Sequence, residues 1–314
     1  MDENIDKFLQ RTSAVNRDIA EYYLVVADNQ LDVAVQYYNE DTRFASIAAQ
    51  DDAKDSVEAP ERLKLLEWNV QGLLGDKLME RMAFIAELIN RNGYEAVFMQ
   101  EMIPDAVEVF KRTCGNYELH LPKNVAMRQY FAAMLTLKSS IQVDKKTTVD
   151  FQTSTQGRHA VVLKCRKKSQ KLTFVTSHLE SCKPMEAERI SQLGRVVELM
   201  RKEDEGDNLV VFAADTNLRD YEYEKFKKSP EFDSDVKDAW EELGGPQESR
   251  YSWDLTRNDN QVKGGKGRLR FERVYFRGRD HGVSGMKFVG TERLECGLFP
   301  SDHWGVEVTF SGKR

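Results

Sequence analysis

Five short polar patches, each read at the end of an apolar run, constrain this 314-residue chain more than any other feature. They are Glu67-Trp68-Asn69, Gln100-Glu101, Ser177-His178-Leu179-Glu180-Ser181, Asp215-Thr216-Asn217 and Ser301-Asp302-His303. The runs Leu63 to Leu66, Ala96 to Met99, Leu172 to Thr176 and Leu209 to Ala214 have the length and composition of buried strands. A strand that buries aliphatic residues and then stops at Asn, Glu, Asp or His delivers that polar group to the rim of a sheet. Five deliveries to one mouth would supply one hard-metal carboxylate, one candidate base, two imidazoles and two amides. Such a set suits hydrolysis of a phosphate ester.

The remaining chain bounds the setting. With 40% hydrophobic and 31% charged residues, it has the balance of a globular protein. No stretch approaches the roughly 20 apolar residues that a membrane helix needs. The acidic start, Met1-Asp2-Glu3-Asn4, lacks a signal-peptide core, so an intracellular location is expected. The cysteines Cys114, Cys165, Cys182 and Cys296 are scattered, without metal-type pairs, and are read as reduced thiols. Net charge is −6, but residues 1–60 hold 13 acidic against 5 basic side chains. The rest is therefore close to neutral, and any polyanion footprint must be local. Arg158, Arg219 and the stretch from Lys263 to Arg270 are candidates.

Residues 4–40 read as three short helices. Ile5, Phe8 and Leu9 form the stripe of the first, from about Asn4 to Ser13. Asn16 caps a second with Ile19, Tyr22, Tyr23 and Val26, and Asn29 caps a third with Leu31, Val35 and Tyr38 inward. The string Leu31-Asp32-Val33-Ala34-Val35-Gln36-Tyr37-Tyr38 and the helix lengths resemble the ubiquitin-associated (UBA-like) fold. That resemblance implies a ubiquitin-binding module over residues 1–45, with a structural or dimerising role as the alternative. Residues 46–60, with Asp51, Asp52, Asp55 and Glu58, read as an acidic flexible linker.

From Arg62 onward strands alternate with helices. Lys77 to Asn90 and Met185 to Met200 carry apolar stripes at helical spacing, the first closed by Gly93. Strands are expected at Tyr130–Leu137, Ala160–Arg166, Leu172–Thr176, Leu209–Ala214, Phe271–Arg277 and Val306–Phe310. The fold expected for residues 61–314 is α+β: two stacked β-sheets flanked by helices, a four-layer α/β/β/α sandwich.

The order of the patches resembles the endonuclease/exonuclease/phosphatase superfamily. The longer strings Thr176-Ser177-His178-Leu179-Glu180-Ser181, Asp215-Thr216-Asn217-Leu218-Arg219-Asp220, Tyr251-Ser252-Trp253-Asp254 and Phe299-Pro300-Ser301-Asp302-His303-Trp304-Gly305 resemble its 5′-tyrosyl-DNA phosphodiesterase family. That family also carries a UBA-like module ahead of its catalytic domain. The resemblance spans nearly the whole chain. It implies Mg²⁺-dependent cleavage, with Mn²⁺ as a substitute, of the bond between a DNA 5′-phosphate and a topoisomerase II tyrosine. It also implies a nuclear and secondarily cytoplasmic repair enzyme, acting as a monomer with no membrane partner.

The residues fit this chemistry without the name. Glu101 is the carboxylate placed to hold Mg²⁺, a hard cation that prefers oxygen donors. Asn69 can donate to a phosphate oxygen or accept from a metal-bound water. Asp215 is the candidate to orient and deprotonate the attacking water, and Asn217 would hold that water or the phosphate. His178 and His303 would clamp non-bridging oxygens as charge builds. Glu272 stands where the superfamily usually has Asp, as the carboxylate that holds His303. Asp302 would serve as an outer-shell metal ligand through water. Ala214 replaces a usual Gly, which matters only if the backbone there needs positive φ.

By resemblance, Arg158, Ser181 and Arg219 contact the DNA backbone, and Tyr130 lies near the mouth. Trp253 and Phe271 read either as stacking platforms for a single-stranded 5′ end or as core aromatics. The glycine-rich basic stretch Lys263–Arg268 reads as mobile cations replacing an apolar DNA wall, or as disorder. Two rival functions share the constellation: another superfamily phosphodiesterase, such as an abasic endonuclease or deadenylase, and a ubiquitin-binding adaptor with an inactive hydrolase body.

Overall fold

The computed structural model describes residues 2–12, 20, 23, 24, 27, 29–39, 62–204, 206 and 208–312. The chain divides into two compact units, Met1–Ala59 and Pro60–Arg314.

In the first unit, helix α1 (Asp2–Arg11) and helix α2 (31–39) pair their apolar stripes. Ile5 and Phe8 of α1 join Ala34, Val35 and Tyr38 of α2 in one small core with Ala20, Leu24 and Ala27. Phe8 stacks on Tyr23 at 5.9 Å and meets the edge of Tyr38 at 5.6 Å. Asn16, Ile19, Tyr22 and Val26 of the expected second helix, and the acidic stretch 46–60, lie outside the described residues.

The second unit contains two six-stranded sheets. One holds β1 (Leu63–Asn69), β2 (Ala96–Met102), β3 (Tyr117–His120), β4 (Phe131–Leu137), β13 (His281–Val289) and β14 (Gly305–Gly312), in the order β13-β14-β1-β2-β4-β3. The other holds β5 (Gln142–Asp150), β6 (His159–Lys167), β7 (Gln170–His178), β8 (Leu209–Asp215), β9 (Lys237–Asp238) and β12 (Glu272–Arg277), in the order β5-β6-β7-β8-β12-β9. A small hairpin pairs β10 (Trp253–Asp254) with β11 (Arg268–Leu269).

Period-two alternation sends each central strand's side chains to two buried layers. Leu63, Leu65 and Phe98 meet Phe174, Val211, Val274 and Phe276 between the sheets. The opposite face of the first sheet, with Leu66, Trp68, Val97 and Met99, packs on helices α3 (Leu78–Asn92) and α4 (Pro104–Thr113). Val162, Val175, Val210 and Phe212 of the second sheet pack on α5 (Glu186–Glu203) and α6 (Asp220–Phe226). Helix, sheet, sheet and helix form four layers, as the periodicity predicts. Among the described residues no helix is long and apolar enough to cross a membrane.

Pairing explains why the polar patches meet. β1 and β2 run parallel, setting Asn69 beside Gln100, and β7 and β8 run parallel, setting His178 beside Asp215. β12 is antiparallel to β8, so its first residue, Glu272, lies opposite Asp215. The fifth patch departs from the sequence reading: Ser301-Asp302-His303 precedes a strand instead of following one. β14 runs antiparallel to β1, with Val306 opposite Glu67, so the start of β14 arrives where β1 ends. An inbound strand delivers a polar group to the same rim as an outbound one.

Candidate active site

Asn69 is the hub of the rim. Its Nδ2 donates to Asp215 Oδ2 at 2.9 Å and to Glu101 Oε1 at 3.1 Å, while its Oδ1 accepts the Gln71 N–H at 3.0 Å. The amide thus ties the candidate metal carboxylate to the candidate base, and both its hydrogens are spent on them. Ser301 Oγ donates to the Asn69 carbonyl at 2.6 Å and accepts from the His303 N–H, which brings the fifth patch alongside. Arg81 of α3 secures the approach. It is buried and donates to the carbonyls of Gln71, Leu74, Asp76 and Pro300 at 2.6 to 3.1 Å.

Glu101 stands on an interruption of its strand. The β2–β4 ladder skips from Met99 to Met102, and Glu101 adopts φ 54, a left-handed value that non-glycine residues rarely take. Its carbonyl presses on Gly72, where an added Cβ would lie 2.2 Å from the oxygen, so only glycine fits. Gln71 and Asn217 share the strained region, at φ 51 and 52. Ala214 has no such value and sits within β8, so the loss of a glycine there costs nothing. Burial and the Asp302 carboxylate push Glu101 up to about 7, against the Asn69 hydrogen bond.

Two imidazoles flank the base in different charge states. Burial, then the Arg158 charge, pushes His178 down to about 3, so it is a neutral ring whose Nε2 lies 3.3 Å from Asp215 Oδ2. His303 is the reverse. Burial would neutralise it, but Glu272, Asp302 and Asp215 outweigh that and hold it well above its usual value. Its Nδ1 lies 2.6 Å from Glu272 Oε1, both side chains being buried, so the pair is an imidazolium–carboxylate contact. The glutamate's extra methylene does reach. Asp215 itself is raised by burial, but the two histidines, the Asn69 amide and the Asn217 N–H bring it below the usual carboxylate range.

Asp215, Glu272 and His303 place one donor atom each within 4.8 Å of one another, a spacing that a metal ion could bridge. His303 Nδ1 and Glu272 are already spent on each other, however, whereas Glu101 and Asp302 are two carboxylates close enough for the charge of one to raise the other. The second pair suits a hard cation better.

The expected DNA-facing residues form two groups. Trp253 and Phe271 have ring centroids 5.6 Å apart, Phe271 lies 6.3 Å from His303, and the Arg219 guanidinium sits 5.7 Å over Phe271. Phe271 is buried and Trp253 half-buried. On the other side Arg158 lies 5.3 Å over the Tyr130 ring, which is 6.3 Å from His178. A small cavity there is lined by Tyr130, Phe131, Gln156, Arg158, His159 and His178. The stretch Lys263–Arg268 closes the β10–β11 hairpin. Gly265 and Gly267 press on Leu255 and Trp253, Arg268 binds Asp254 at 3.0 Å, and Lys263 and Lys266 stay exposed.

Two participants, Gln156 and His159, escape a reading by patches. Gln156 Oε1 accepts from Arg158 Nε and Nη2 and from the Ser181 N–H and Oγ, at 2.8 to 3.2 Å, so one carbonyl aligns both expected DNA contacts. Its loop is anchored by Glu180, which accepts from Ser154, Thr155 and Gln192. His159 also lines the cavity. Glu67 lies one pleat behind Asn69. The signal available for Gln156 was its place two residues before Arg158; nothing local marks His159.

No protein-family model matches the sequence. Tyrosyl-DNA phosphodiesterase 2 of Gallus gallus is 37% identical over 250 residues, 78% of this chain and 66% of the relative's length. That of Rattus norvegicus is 30% identical over 296 residues, 94% of this chain and 79% of the relative. The crystal structure of D. rerio TDP2 complexed with single strand DNA product superposes with a TM-score of 0.75 at 34% identity, covering 80% of this chain and 99% of that one. An endonuclease/exonuclease/phosphatase family protein from Bacteroides thetaiotaomicron shares the fold, with a TM-score of 0.64 at 14% identity and coverage of 81% of this chain and 99% of that one. With sequence and fold in agreement, the chain belongs to the tyrosyl-DNA phosphodiesterase 2 family.

Proposed function

We propose that the chain hydrolyses the phosphodiester joining a DNA 5′ end to a tyrosine, the lesion left by a trapped topoisomerase II, with Mg²⁺ bound at Glu101. The observation that carries the reading is the Asn69 amide bridging Glu101 and Asp215, with the His303 imidazolium alongside. The donor set fits such a cation: Glu101 is raised to about 7 because burial and the Asp302 carboxylate leave it short of positive charge. Once bound, a divalent ion would counter phosphate charge and acidify a coordinated water.

The chain's own residues do the rest. Asp215 is held ionised and accepts the proton of the attacking water, which Asn217 helps to place. His178, neutral, donates a hydrogen bond, and the His303 imidazolium faces charge building on the phosphate. The leaving tyrosine phenolate, with a free pKa near ~10, needs less help than an alkoxide. Phe271, Trp253 and Arg219 offer the terminal nucleotides a stacking wall with a cation beside it, and Lys263 and Lys266 extend that wall toward the phosphates.

A cleavage panel tests this reading: 5′-phosphotyrosyl DNA, abasic duplex, poly(A) and inositol phosphates, with and without a chelator. Selective, chelator-sensitive release of tyrosine is expected. Preferred cutting of any other substrate would refute it.

We also propose that the first unit binds ubiquitin, on the strength of its α1–α2 core and the exposed Tyr37 on α2. Titrating the labelled full chain with ubiquitin is expected to shift amide resonances in residues 31–38. No shift at millimolar ubiquitin would remove this partner.

A further inference from the structure

Four buried acceptor atoms lie beneath the rim without a donor: both carboxylate oxygens of Glu67, Glu272 Oε2 and Gln100 Oε1. Glu67 is 1% exposed and points between the sheets, on the same face of β1 as Leu65 and Asn69. The parallel register sets Asn69 beside Gln100, so Glu67 lies diagonally behind the Gln100 side chain. Few donors are left for them: the second Gln100 amide hydrogen, toward Glu67, and the Ser252 hydroxyl, toward Glu272. Gln100 Nε2 donates to Thr176 Oγ1 at 3.0 Å, that hydroxyl donates to the Ala213 carbonyl, and His303 Nδ1 is held by Glu272 Oε1. Four acceptor atoms that share at most two hydrogens form an unfavourable layer, since each unsatisfied buried polar group keeps its full desolvation cost.

We propose that Glu67 is a protonated carboxyl at neutral pH whose O–H supplies the missing donor to Glu272 or Gln100, making it a positioning residue for the His303–Glu272 pair. The charges around it agree. Burial, then Glu272 of β12 and Asp215 of β8, push Glu67 well above the usual carboxylate range, against the opposing His303 charge and the Gln100 side chain. A neutral Glu67 leaves Glu272 as the one anion held against His303 Nδ1. An ionised Glu67 would add a second anion to the same dry space, and the pair's geometry would no longer be fixed from behind. This role in turnover rests on the hydrolytic reading above, but the protonation does not.

Infrared spectroscopy of the full chain at neutral pH reads the proton directly. A carbonyl band of a buried carboxylic acid is expected in the wild type and absent from Glu67→Gln; a difference spectrum without that band overturns the proposal, whether or not the protein cuts phosphotyrosyl DNA. The turnover arm uses two variants. Glu67→Gln keeps a neutral hydrogen donor and is expected to stay within about threefold of wild type, whereas Glu67→Leu is expected to fall about tenfold or more. Equal turnover in wild type and Glu67→Leu would refute the positioning role. If Glu67→Leu does not fold, a greater than tenfold loss in the Gln variant would do so instead.

Discussion

Asp215→Asn lowers the turnover of 5′-phosphotyrosyl DNA by about 10²- to 10⁴-fold, the usual contribution of a positioned base, with little change in KM. Asparagine has the same shape but one acceptor atom, so it keeps either the Asn217 N–H contact or the Asn69 and His178 contacts, and the fold is retained. What disappears is the charge that receives the water's proton and helps to keep His303 protonated. Single-turnover assays at saturating substrate separate the two parameters, and circular dichroism checks that the fold persists. A variant with wild-type turnover would place the base elsewhere. A rise in KM alone would make Asp215 a binding residue.

The largest effect on stability is expected from Arg189→Met. Arg189 and Glu222 are fully buried and paired through two contacts, Nε to Oε2 at 3.1 Å and Nη2 to Oε1 at 2.6 Å. The same guanidinium donates to the carbonyls of Glu180, Cys182 and Lys183, and Glu222 accepts the Arg219 N–H at the start of α6. Removing the arginine leaves a carboxylate and three carbonyls without their donor, a loss of about 3–5 kcal/mol by analogy with broken buried pairs. Glu222→Leu added to Arg189→Met restores part of that, because the stranded charge goes too. Urea unfolding of both variants decides the matter. A single variant within about 1 kcal/mol of wild type would mean that the pair contributes little beyond its own desolvation. The single variant should also lose activity at temperatures where it is folded, since the freed segment carries Ser181.

The sequence exposed what sits on central strands and concealed what sits on edges and loops. β1, β2, β7 and β8 are buried on both faces, so their aliphatic runs stand out and the polar residues that end them stand out with them. β5 lies at a sheet edge, and its string of Gln, Lys, Thr and Asp is mostly solvated, so no apolar run announces it. β13, another unread edge strand, is only half-buried and carries two glycines. Helix α4 is short, and its clearest signal is Pro104 at the first turn. Within the rim, Asn69, Glu101, His178, Asp215 and His303 were legible as strand-end groups. Gln156 and His159 were not, because the β5–β6 connection and the first residue of β6 are brought to the mouth by sheet pairing, which no local pattern records. Glu67 was visible as part of a patch, but its burial follows from the second sheet stacking on β1, which local sequence does not show either.

The gap in the β2–β4 ladder has a practical consequence for anyone redesigning this enzyme. A strand that anchors a core and also aims a carboxylate into the site serves two masters, and the skip between Met99 and Met102 uncouples them. Substitutions along Phe131–Ala133 should therefore be felt as altered melting before they are felt as altered ion preference, which would leave the cation site proposed at Glu101 open to tuning on its own.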